Sequence, residues 1–146
     1  MSGILALWYL DGRPVETATL DRMAAAMPYR GPDGITVEAD GAIGLGQLRL
    51  HTTPEAIGAP LPRWSADRRC ALVADARLDN RTDLIDVLAL PSDAPDSHLL
   101  LAAYERWGPA CVDHLMGDFA FVVWDARARR LVAGRDHFGM RPLYYV

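Results

Sequence analysis

Residues 35–50 read Ile35-Thr36-Val37-Glu38-Ala39-Asp40-Gly41-Ala42-Ile43-Gly44-Leu45-Gly46-Gln47-Leu48-Arg49-Leu50. Two strand-forming runs, Ile35 to Ala39 and Ala42 to Leu50, flank Asp40-Gly41. That pair suits a two-residue hairpin turn, whose central residues take positive φ. Working outward, Ile4 to Leu10 is an apolar run ended by Asp11-Gly12, and Cys70 to Ala74, Phe119 to Trp124, Leu131 to Gly134 and Pro142 to Val146 read as further strands. Thr19 is placed to cap a short helix through Met27, with Leu20, Met23, Ala24 and Met27 on one face. Asn80 caps a second helix through about Leu90, Asp96 to Trp107 forms another, and Pro109 to Met116 a short last one. His51 to Asp67, proline-rich and without periodicity, reads as a long loop, a feature uncommon in compact domains unless it has a task. Strands outnumber helices and most are joined by short turns. The fold class is therefore α+β, antiparallel sheet with helices packed outside, and not a doubly wound parallel sheet.

The 146 residues match one domain, and 51% hydrophobic with 23% charged residues is ordinary for a soluble globular chain. A chain of this length buries roughly two-thirds of its unfolded surface, enough for a real core. The net charge is −4 and all 15 basic residues are arginine, with no clustered basic patch, so nucleic acid is not an expected partner. No apolar run approaches the ~20 residues needed to cross a bilayer, and Met1-Ser2-Gly3-Ile4 lacks a secretory signal. The expected address is the cytoplasm. Cys70 and Cys111 lie in apolar surroundings and read as buried free thiols. The chain stops inside an apolar run, Leu143-Tyr144-Tyr145-Val146, which reads as an unfinished edge of a longer fold.

Few segments carry chemistry. Gly44-Leu45-Gly46 sits in a strand run and is no phosphate loop. The histidines His51, His98, His114 and His137 lack partners at metal-ligand spacing, and no metal site is expected. Aromatic residues Phe119, Phe121 and Trp124 read as core sheet. Ser2 stands apart. If Met1 is removed, Ser2 carries a free α-amine beside its own hydroxyl, and an amine of pKa near 7.7–8 can act as base for that hydroxyl. Serine at the second position is also common for processing alone.

Several segments together resemble the class II glutamine amidotransferase domain of asparagine synthetases, an N-terminal-nucleophile hydrolase type. Met1-Ser2-Gly3-Ile4 is similar to the family's Met-Cys-Gly-Ile start, and Arg30-Gly31-Pro32-Asp33-Gly34 to its Arg-Gly-Pro-Asp loop. Gly44 to Leu50 resembles its Leu-Gly-His-x-Arg-Leu strand, and Leu115-Met116-Gly117-Asp118-Phe119 follows Tyr104 to Gly108 as in the family. Arg135-Asp136-His137-Phe138-Gly139-Met140-Arg141-Pro142-Leu143-Tyr144-Tyr145 resembles Arg-Asp-Arg-Phe-Gly-Ile-Lys-Pro-Leu-Tyr-Tyr. The resemblance covers residues 1–146 as one glutaminase-type domain. It implies a four-layer αββα sandwich of two antiparallel sheets, cut short at the C-terminus. It also implies a following ATP-dependent synthetase domain, in the same or a separate chain, to which ATP and Mg belong; no cofactor is expected in residues 1–146. A homodimer is left open.

Carried over residue by residue, the resemblance implies an altered pocket. The family's nucleophilic cysteine maps onto Ser2. Its oxyanion-hole Asn-Gly pair maps onto Asp75 and Ala76, placing a carboxylate where a donor is needed. Its ammonium-binding Glu maps onto Arg77, a reversal of charge. Arg49 matches the arginine that pairs with the glutamine carboxylate, and Asp96 the aspartate that holds the substrate ammonium. Arg30 and Asp33 are assigned to stabilising their loop. The altered pocket also resembles two related groups without working glutaminase sites, β-lactam synthetases and lasso-peptide cyclases, with Arg49-Leu50-His51-Thr52-Thr53-Pro54-Glu55 and Arg77-Leu78-Asp79-Asn80-Arg81 more similar to the lasso-associated kind. The expected function is a glutaminase-like domain with a degenerate active site, in an amide-forming ligase related to asparagine biosynthesis, binding glutamine or a similar amino acid weakly. The alternatives are a working amidotransferase using Ser2, and an amino-acid-binding module without turnover.

Overall fold

The computed structural model describes residues 1–146, and the second strand of the 35–50 hairpin is the centre of its first sheet. β1 (Gly3–Trp8), β2 (Ile35–Asp40) and β3 (Ile43–Leu48) form an antiparallel sheet in the order β1-β3-β2. β2 and β3 pair from Ile35↔Leu48 to Asp40↔Ile43, so the hairpin forms as expected but its two-residue turn is Gly41-Ala42, one residue later than Asp40-Gly41, with only Gly41 at positive φ. β4 (Arg63–Trp64), β5 (Cys70–Leu78), β6 (Gly117–Asp125) and β7 (Arg130–Arg135) form a second antiparallel sheet in that order.

Helix α1 (Thr17–Ala25) buries Leu20 and Ala24 and packs on the outer face of the first sheet with Leu5 and Leu48. Helices α2 (Arg81–Leu88) and α3 (Asp96–Trp107), with the 3-10 segment Gly108–His114, cover the outer face of the second sheet. The sheets face each other through Ile43 and Leu45 on one side and Ala71, Val73 and Val122 on the other. The order of layers is helix, sheet, sheet, helix: the four-layer αββα sandwich that the resemblance implied.

The layers are unequal. The helix-covered side of the second sheet holds 16 buried apolar residues in one cluster, against five between the sheets. At about 1.5–3 kcal/mol per fully buried large side chain, the helix layer carries most of the apolar stabilisation. The thinner inter-sheet layer is where polar groups enter. Gln47, 1% exposed, crosses it: its Nε2 donates to the Ala74 carbonyl at 3.0 Å, and its Oε1 accepts from the Ala74 amide at 3.1 Å. β4 begins only at Arg63, paired with Leu72, and so does not reach the level of Ala74. Beyond that point the Gln47 amide takes up the Ala74 backbone groups that a longer neighbour strand would have met.

The structure corrects several details. α1 begins at Thr17 with Glu16 before it, so Thr19 is an interior residue and caps nothing. Asn80 stands at the start of α2, but its side chain bridges away to the His114 carbonyl and the Met116 amide, orphan groups at the exit of the 3-10 segment. β5 runs four residues past Ala74, because its pairing with β6 continues to Leu78↔Gly117. The loop 51–67 contains a 3-10 turn, Pro54–Ala56, and the two-residue β4. Residues 142–146 form no strand. Leu143 packs on the inter-sheet core, while Tyr144 and Tyr145 are exposed, since no strand lies alongside them to pair with. Phe119 and Phe121 face the helices, whereas Trp124 turns to the other sheet and meets Trp8 with ring centroids 5.3 Å apart. Cys70 and Cys111 are buried free thiols, as the sequence predicts, and burial pushes each up to about 11.

Candidate functional site

At one end of the sandwich the start of β1, the exit of β3, the second half of β5 and the first turn of α3 converge. The Gly3↔Leu48 pair sets Ser2 beside Arg49 and Leu50. Between these elements lies a cavity lined by Ser2, Arg49, Asp75, Ala76 and Asp96, with residues of the 51–61 loop forming its outer wall. Five of the six predicted site residues therefore come together.

Arg77 does not. Asp75 and Arg77 point to the same face of β5, but the first sheet has ended by the level of Arg77. Its side chain is largely exposed and pairs with Asp79 at 2.8 Å, and the hydrogen bond and charge of Asp79 raise the guanidinium above its ordinary range.

Ser2 is half-buried, and its Oγ is held by one residue. It accepts from the Leu50 amide at 3.0 Å and donates to the Leu50 carbonyl at 3.3 Å. No side-chain base reaches this hydroxyl, so its only candidate proton acceptor is an α-amine of its own, exposed by removal of Met1.

Arg49 owes its place to the Arg30–Gly34 loop. The Gly34 carbonyl accepts from the Arg49 amide at 2.8 Å, and the Arg49 carbonyl accepts from the Asp33 amide at 3.1 Å. Gly34 has φ +123, and a Cβ there would stand 2.6 Å from Arg49 Nη2. Only glycine lets the guanidinium lie across this turn. Asp33 Oδ2 accepts from the His51 amide at 2.8 Å, so Asp33 braces the loop as expected. Arg49 Nη1 donates to Thr36 Oγ1 at 2.6 Å, and no carboxylate pairs with the guanidinium.

Both carboxylates in the cavity wall are already matched. Asp75 Oδ2 lies 3.5 Å from Arg141 Nη1, both side chains being mostly buried. Arg141 arrives on the segment after β7, which Asp136 organises by accepting from the Met140 amide at 2.9 Å and the Arg141 amide at 3.0 Å. Asp96 Oδ1 pairs with Arg81 Nη1, and Oδ2 accepts from the Leu78 amide at 2.9 Å. Burial raises the Asp96 carboxyl above the usual aspartate range, against the opposing pull of Leu78 and Arg81. Arg81 is fixed in turn by its Nη2 donating to the Ala94 carbonyl at 2.8 Å.

The profile of the family described as glutamine amidotransferase domain matches residues 1–146. The chain belongs to that family. This amidotransferase domain is 33% identical over 135 residues to asparagine synthetase (glutamine-hydrolyzing) 3 of Bacillus subtilis strain 168, a match covering 89% of this chain and 22% of that protein. It is 34% identical over 140 residues to a putative asparagine synthetase (glutamine-hydrolyzing) of Mycobacterium bovis, covering 87% of this chain and 22% of the relative. It is 32% identical over 120 residues to the protein named amidase chyE of Penicillium rubens, covering 80% and 18% respectively. The chain spans about a fifth of the length of these relatives.

One residue lining the amidotransferase domain's cavity, Gln47, and two that pair with its aspartates, Arg81 and Arg141, escaped sequence reasoning. Gln47 carried a signal, a polar residue at an inward position of an otherwise apolar strand. Arg81 and Arg141 carried none of their own, because each meets its aspartate only after the chain has folded back. No group of three or more His, Cys, Asp or Glu side chains is arranged to hold a metal, and no helix is long and apolar enough to cross a membrane.

Proposed function

We propose that this amidotransferase domain serves an ATP-dependent amide-forming enzyme related to asparagine synthetases, in the cytoplasm, and that it hydrolyses glutamine poorly. Asp75 carries the reading: a carboxylate lines the same cavity as the Ser2 hydroxyl. Hydrolysis of an amide at Ser2 gathers negative charge on the substrate oxygen, and loss of one donor at that point typically costs ~2.7–4 kcal/mol. Arg141 offsets the charge of Asp75 without turning its carboxylate into a donor. The weaker nucleophile adds to the deficit, since a hydroxyl supplies no resting anion comparable to a thiolate. Supplying the full-length protein with glutamine and measuring glutamate tests this. Release well below about 1 s⁻¹, the low end of ordinary enzyme turnover, is expected; release at or above it refutes the reading.

A second reading, hydrolysis by Ser2 with its own α-amine, is favoured by the Asp75–Arg141 pair, which removes part of the repulsion. It requires a free amine on Ser2. Intact-mass measurement finding Met1 retained excludes it.

A further inference from the structure

The charges around the cavity do not cancel. Its lining contains three charged side chains, Arg49, Asp75 and Asp96. Asp75 is paired with Arg141, and Asp96 with Arg81, whereas Arg49 has only the neutral Thr36 hydroxyl. One positive charge is left without a counter-charge, and removal of Met1 adds a second on the Ser2 amine. A free amino acid brings both a carboxylate and an ammonium. Its carboxylate suits Arg49 as a bidentate partner. Its ammonium has no equivalent place. Each Asp96 oxygen is engaged, one by the Arg81 guanidinium and one by the Leu78 amide, and an approaching ammonium meets the like charge of Arg81. The exposed Glu55 carboxylate lies outside the cavity lining and offers no substitute.

We propose, resting on the reading of this cavity as a weak glutaminase pocket, that Arg81, from behind the cavity wall, neutralises the Asp96 carboxylate and that the site takes an ω-amide carboxylate lacking an α-ammonium. Glutaramate, which is glutamine without its amine, is the probe. Ligand specificity here is set by a charge of the protein that cancels the carboxylate a ligand's ammonium would otherwise meet.

Binding is measured by calorimetry on full-length protein bearing Ser2→Ala, so that turnover plays no part and a fault in the glutaminase reading shows up only in the glutamate assay. Glutaramate is expected to bind about tenfold or more tightly than glutamine. Arg81→Gln keeps donors for the Ala94 carbonyl and Asp96 but removes the charge, and should reverse the order of the two ligands. Arg49→Gln should lose glutaramate. Circular dichroism confirms that each variant is folded, and Arg81→Met serves if Arg81→Gln is not. Tighter binding of glutamine to the Ser2→Ala protein, binding of neither ligand at millimolar concentration, or an order unchanged by loss of the Arg81 charge each overturns the proposal.

Discussion

The Asp75 carboxylate stands 3.5 Å from the Arg141 guanidinium, tying the inner face of β5 to the segment that follows β7. Neither side chain is free to leave: they are 14% and 16% exposed, and Arg141 Nε is buried with no hydrogen-bond partner. A guanidinium so placed depends on its carboxylate. Asp75→Ala is therefore expected to destabilise the domain by about 1–3 kcal/mol, more by stranding Arg141 than by losing attraction. Adding Arg141→Met should recover about 1 kcal/mol in urea unfolding. Strictly additive losses would show that the two residues do not interact.

The same carboxylate should limit catalysis. Ser2→Cys alone restores a thiol nucleophile but leaves Asp75 in the cavity wall. Ser2→Cys with Asp75→Asn supplies an amide donor there as well, and glutamate release by the double variant should exceed that of Ser2→Cys by at least about tenfold. Equal rates would relieve Asp75 of blame.

Acid should loosen the 136–141 segment. Burial on its own would raise the Asp136 carboxyl, but the Met140, Arg141 and Phe119 amides outweigh it and hold the group below the ordinary aspartate range. The native state then binds fewer protons than the unfolded chain near pH 4. Stability from this group is present above that pH and lost as pH falls through the lower native value. Asp96, raised by burial, works in the opposite direction, its ionisation costing stability as pH rises. Asp136→Asn is expected to lower the urea midpoint at pH 7 and to flatten its fall towards pH 3. A slope equal to that of the unchanged protein would discount Asp136.

Gly117 closes the β5–β6 ladder opposite Leu78 with φ +133, and a Cβ there would lie 2.1 Å from the Arg77 carbonyl oxygen. Backbone cannot yield as a side-chain tip can. Gly117→Ala should cost about 2–4 kcal/mol by thermal or urea unfolding. It should also disturb Asp96, whose Oδ2 depends on the Leu78 amide. A neutral effect on stability would contradict this geometry.

What the sequence disclosed and what it hid follow from the range of the interactions. Asp40-Gly41 with its flanking runs disclosed the hairpin because a two-residue turn is local chemistry. Helix α3 was legible from Asp96 to Trp107 for the same reason: proline before it, an apolar stripe along it. The end of β5 was hidden, since Asp75-Ala76-Arg77 lacks an apolar alternation and is held in strand form by Ala120, Phe119 and Asp118 across the ladder. Residues 142–146 show the converse error, a strand-like composition with no neighbouring edge. In the cavity, Ser2, Arg49, Asp75, Ala76 and Asp96 were found through resemblance. Their charge balance was not, because it depends on Arg81 and Arg141, which reach their partners across a proline break and from the far end of the chain.

Gln47 behaves as a rung between two ladders: its amide joins the Ala74 peptide as a neighbouring backbone would. The wall that carries Ser2 and Arg49 is thereby locked in register with the wall that carries Asp75 and Ala76. The remaining outer wall of the cavity is the proline-rich stretch after Leu50. Two charged groups of the cavity lining, Arg49 and Asp75, therefore keep a fixed separation, and the loop wall lies outside that lock.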